Sequence, residues 1–186
     1  MVKCWVLVIV LGCWGTAALA QEGGAVAWEG FKVEVPPGWS AEEVPFSGTA
    51  PSRVLYLALE GNDLEALVAM VRTDAVAEGL RSQTLATAVE AYGEGLVHGW
   101  GGAVEGRHVK RCALGVAPHI AVYGVGFQVR FGTLRSEVWL CGARDELSER
   151  TLVVAAWSGR AQVIDVEARA ELLAVMAGAG FARPGE

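Results

Sequence analysis

The stretch Phe31-Lys32-Val33-Glu34-Val35-Pro36-Pro37-Gly38-Trp39 constrains the fold more than any other part of the chain. Its first five positions alternate apolar and charged, the period of a half-buried strand. Pro36 and Pro37 have no N–H for a ladder and Gly38 favours a turn. The strand is therefore expected to stop there, with Trp39 tucked back against the sheet.

More strands are expected downstream. Residues 53–59 and 64–73 flank Glu60-Gly61-Asn62-Asp63, which is turn chemistry, and read as a hairpin. Residues 104–114, 119–131 and 134–141 read as a meander, with turns at Gly115-Val116-Ala117-Pro118 and at the two-residue link Gly132-Thr133. Residues 151–157 are continuously apolar and read as a central strand. Gly124 and Gly126, inside the longest strand, imply a bulge, a bend or room for a large neighbour such as a Trp.

Two helices complete the pattern. Leu85, Val89, Tyr92 and Leu96 share one helical face after Thr84, and Gly99, Gly101 and Gly102 end that helix. Gly93 and Gly95 weaken it. Asp165 can cap a second helix over residues 166–177. Short-linked consecutive strands make an antiparallel sheet. The expected fold is α+β, an antiparallel sheet of about six strands flanked by two main helices.

The first twenty residues read as a targeting segment. Lys3 is followed by an apolar run over residues 4–13, and Ala18-Leu19-Ala20 offers small residues for a cut before Gln21. The run is shorter than the ~20 residues a membrane span needs, so no stable transmembrane anchor is expected. A lipoprotein reading of Val10-Leu11-Gly12-Cys13 lacks the usual Leu at its −3 position. The expectation is export to the periplasm or beyond after cleavage near Ala20. The chain then divides into a signal at 1–20, a leader at 21–30 and a single domain at 31–182.

Charge and cysteine content narrow the function. The net charge is −6, and losing Lys3 with the signal makes it −7. Phosphate backbones are bound by clustered Lys and Arg, so nucleic acid is not an expected partner. Arg107-His108-Val109-Lys110-Arg111 reads as the solvated side of a strand. Of the four cysteines, Cys112 and Cys141 outlast the signal. A bridge between them suits an exported chain. Its closed loop is worth about 3–4 kcal/mol on the chain-entropy account. Against it, the two lie on strands expected to flank a third, which puts them nearly ~10 Å apart. Two buried thiols are the alternative.

Chemistry-bearing constellations are sparse. His98, His108 and His119 have no metal-ligand spacing, and no nucleophile elbow, phosphate loop or dinucleotide fingerprint is present. No cofactor, metal site or enzymatic activity is expected. Trp28 and Trp100 lie in loop-like surroundings and are the candidates for an exposed binding surface.

Residues 31–39 resemble the "F-x-V-x-x-P-x-G-W" opening of the PsbP-like superfamily, and the order of elements over about residues 28–181 is similar in outline. The resemblance implies an α/β/α sandwich used mostly for binding and assembly rather than catalysis. Fold alone does not fix function. Two functional expectations follow. One is an exported, non-enzymatic binding or assembly module of the bacterial cell envelope, partnered by an envelope protein. The other is a binder of an apolar small molecule or lipid in a sheet–helix cleft, motivated by Gly124 and Gly126.

Overall fold

The computed structural model describes residues 21–28, 30–44, 52–59, 64–72, 84–147, 150–158 and 166–182. The expected targeting segment and Asp165 lie outside the described residues. The elements run β1 (Gln21–Trp28), β2 (Phe31–Val44), β3 (Ser52–Leu59), β4 (Leu64–Arg72), α1 (Leu85–Gly99), β5 (Ala103–Val109), β6 (Ala121–Phe131), β7 (Leu134–Asp145), β8 (Arg150–Ser158), α2 (Val166–Gly178) and β9 (Ala179–Phe181).

One sheet holds all nine strands, in the order β1-β2-β3-β4-β8-β7-β6-β5, with β9 added to β2. Every pairing is antiparallel. Among the described residues, the expected sheet of about six strands flanked by two helices is thus corrected to nine strands with two helices. The stretch read as a leader is itself β1. Its Gly and Ala residues carry little β signal, and it is recruited by pairing Trp28 with Phe31 across a hairpin. A ninth strand forms from three residues directly after α2, where the glycines mark only a helix end.

β2 explains both additions. Pro36-Pro37-Gly38 does not end it but bends it, with Gly38 at φ +80°. Before the bend its partners are β1 and β9; after it, Ser40 and Ala41 still pair with β1, and Trp39 to Val44 pair with β3 on the other edge. The prolines fall in the gap between Val35 and Trp39 that no ladder pair spans, where β1 shifts register and the other edge passes from β9 to β3, so their missing N–H groups cost no pairing. Phe31, Val33, Val35, Trp39 and Ala41 stay buried on one face through the bend. Trp39 is 1% exposed, and its indole N–H donates to Glu171 of α2 at 3.2 Å.

The helices lie on opposite faces of the sheet. Alternate residues of β7 and β8 separate the two cores: Trp139, Cys141, Leu152 and Val154 face α2, whereas Val138, Leu140, Val153 and Ala155 face α1. Thr84 caps α1 by accepting from the Thr87 amide at 3.2 Å. Val89 and Val97 bury its inner side. Gly93 and Gly142 let that side approach closely, since a Cβ on Gly142 would stand 2.2 Å from Val89 Cγ2. Arg107 of β5 then straps the outside of α1, bonding Glu90 and Glu94 at 2.8 Å each.

Candidate functional site

Cys112 and Cys141 form a disulfide, with Cα atoms 5.4 Å apart. Strand spacing does not hold the two cysteines apart, because Cys112 is not on a strand of the sheet. β5 ends at Val109, and the chain then crosses over β6 on the α2 face. The crossing is possible because β6 carries Gly124 and Gly126 there. A Cβ on Gly124 would lie 2.6 Å from the Lys110 carbonyl and 3.2 Å from Cys112 Cβ. Gly124 stands directly opposite Cys141 in the β6–β7 ladder, so a residue passing over it reaches Cys141. The Lys110 amide donates to the Gly124 carbonyl at 3.0 Å, and the Gly115 amide to the Ala179 carbonyl at 2.8 Å. Residues 110–115 are thus a strap fixed at three points. The space that motivated the apolar-ligand expectation holds this strap. At Gly126, whose ladder partner is Trp139, a Cβ would lie 2.6 Å from His108 Nε2.

The strap leaves a polar face uncovered beside it. Between β5, β6 and β7 lies an open depression of about 480 Å³, floored by Gln128 and Val129 and rimmed by Glu105, His108, Arg135 and Glu137. Two carboxylates organise its charges. Glu137 Oε1 takes His108 Nε2 at 3.1 Å and Lys110 Nζ at 3.0 Å. Glu105 takes the Nε of Arg130 through one oxygen and that of Arg135 through the other, the latter at 3.2 Å. Two cations stand over the Trp139 ring, Lys110 Nζ 4.7 Å and Arg169 Cζ 5.6 Å from its centre. Cations over an aromatic face are attracted by its quadrupole. The Trp139 indole N–H is buried and makes no hydrogen bond among the described residues.

Two tryptophans were singled out from sequence, Trp100 and Trp28. Trp100 follows α1, half-buried, with its ring 4.6 Å from that of Trp157 on β8. Trp28 ends β1, with its side chain outside the described residues. Three strands separate β1 from β8. His98 and His119 are exposed, and only His108 joins the charged depression. Among the described residues, no group of three or more His, Cys, Asp or Glu could hold a metal ion. No described helix is long and apolar enough to cross a membrane.

Sequence reading assigned no role to Glu105, Arg130, Arg135 or Glu137. A usable signal was present. The two-residue link Gly132-Thr133 fixes the hairpin register. It sets Arg130 against Arg135 and Gln128 against Glu137, all on one face. The basic run at 107–111 divides between faces: Arg107 goes to α1, and His108 and Lys110 go to the depression.

Fold and site together define an antiparallel-sheet protein with a helix on each face and a charged strand edge. No protein-family model matches the chain, and no curated protein matches it in sequence.

Proposed function

We propose that the protein is an exported, non-enzymatic binding or assembly module of the cell envelope, and that the β5–β7 face is its contact surface. The observation that carries this is the open depression of about 480 Å³ at the end of the sheet, lined by half-exposed charged side chains. Residues of opposite charge held on a rigid sheet suit recognition, where electrostatic complementarity sets partner choice. Export draws on the apolar run at residues 4–13 and the Ala18-Leu19-Ala20 cut, and it accords with the disulfide. The PsbP-like resemblance of residues 31–39 points to binding as well.

Site-specific photo-crosslinking tests the reading in the producing cell. A photoreactive phenylalanine replaces Gln128, in the depression, or Ala91, on the exposed side of α1. The expected result is a discrete higher-mass adduct from position 128 and none from position 91. Adducts absent from 128, or equal from both positions, would overturn it. The intact mass of the exported protein is expected to begin at Gln21.

A further inference from the structure

We infer that the β5–β7 face docks an extended, acidic segment of a partner protein, laid along the outer edge of β5. The inference rests on the binding reading above and names the partner's chemistry.

Charge is the first observation. The chain as a whole is acidic, with 21 acidic against 15 basic residues. On this face the balance reverses. Lys110, Arg130, Arg135 and Arg169 stand against Glu105 and Glu137. Among the described residues Arg135 is engaged only through Nε, and its side chain is 79% exposed. Its two terminal amino groups have no partner among the described residues. A guanidinium presents a planar fork that fits a carboxylate with two parallel hydrogen bonds. Because Arg135 reaches Glu105, that fork sits over the edge strand rather than over β7, where its backbone lies.

The edge is the second observation. Among the described residues β5 pairs only with β6. The Lys110 amide points inward to Gly124. Successive amides of a strand point to opposite sides. Those of Val109 and Arg107 therefore point outward. A free strand edge accepts an added strand through its main chain, and the neighbouring side chains choose which one. Val109, 76% exposed, has no polar group that would compete for the added backbone. A nucleic acid is a poorer fit, because four cations interrupted by two carboxylates do not make a continuous phosphate track.

The test is an NMR titration of the isotope-labelled chain lacking residues 1–20 with N-acetyl-hexaglutamate amide. Hexaglutamine amide and citrate are the comparison ligands. Expected are saturable shifts confined to residues 103–110 and 128–137, absent with hexaglutamine and at least tenfold weaker with citrate. Arg135→Glu is expected to weaken binding at least tenfold, and Arg135→Lys to weaken it less. Since Arg135 is exposed, an unchanged spectrum elsewhere will show that each variant folds. Shifts scattered over the surface, no shifts at all, citrate as good as the peptide, or no effect of Arg135→Glu would each overturn the inference. A position-128 crosslink without peptide binding removes the acidic partner and leaves the binding reading standing. Loss of both removes both.

Discussion

Gly93 and Gly95 sit two residues apart on α1 and answer to different neighbours. A Cβ on Gly93 would meet Leu140 Cδ2 at 2.6 Å and Phe127 Cε2 at 2.7 Å, inside the core, whereas one on Gly95 meets nothing within 4 Å. Ala gains about 1 kcal/mol over Gly in a helix interior. Overpacking a core costs about 1–3 kcal/mol. Gly95→Ala is therefore expected to raise the denaturant midpoint, by about 0.5–1 kcal/mol of stability. Gly93→Ala is expected to lower it, by up to about 2 kcal/mol net of the helix gain. The tyrosines give a pH dependence. The chain has three, Tyr56, Tyr92 and Tyr123, and all are held above the ordinary phenol range. Burial pushes Tyr92 up to about 12. Burial and then the Glu65 carboxylate raise Tyr56, and the hydrogen bond to Glu90 leads for Tyr123. The unfolded chain ionises these phenols near pH ~10 and the folded chain later. The stabilisation is thus whole below pH ~10 and lost as pH rises beyond it, with about 3 kcal/mol from Tyr92 alone. Tyrosinate absorbance is expected to appear late and together with loss of tertiary circular dichroism. A hyperbolic rise near pH ~10 with the fold intact would contradict this.

At the scale of elements, the strap is the feature that local sequence could least reveal. The hairpin at Gly132-Thr133 was readable, since a two-residue link with Gly first fixes both turn and register. The face of α1 was readable from Leu85, Val89, Tyr92 and Leu96, because helical spacing is a local property. The route of residues 110–115 is set instead by where β6 lacks a side chain and by what waits across it at Cys141. Replacing Cys112 and Cys141 by Ala is expected to cost about 2–4 kcal/mol. Gly124→Ala is expected to cost about 1–3 kcal/mol, because the atom it meets is backbone and cannot rotate away. The two changes touch one contact, so their costs are expected to combine to less than their sum. Simple additivity in denaturant melts would show that the strap stays seated without its bridge. β1 and β9 were illegible for a related reason. Gln21–Trp28 and Ala179–Phe181 become strands only because the long, bent β2 offers each an edge.

Over the whole molecule, the sheet has two ends of different character. At one, β2 collects β1, β9 and β3 around the Pro36-Pro37-Gly38 bend, and Trp39 locks α2 above them. At the other, the chain leaves β5 after Val109, so the last strand keeps an outer edge beside Arg130 and Arg135. Reading Phe31–Trp39 as a strand that stops conceals the first end, and reading residues 107–111 as a plain solvated strand conceals the second. A partner strand can dock only if the second end is open. Amide hydrogen exchange along β5 tests this most directly. Slow exchange is expected at His108 and Lys110, whose amides face β6, and fast exchange at Arg107 and Val109, whose amides face outward. Equal protection at all four would mean that β5 already has a second neighbour and that the edge is closed.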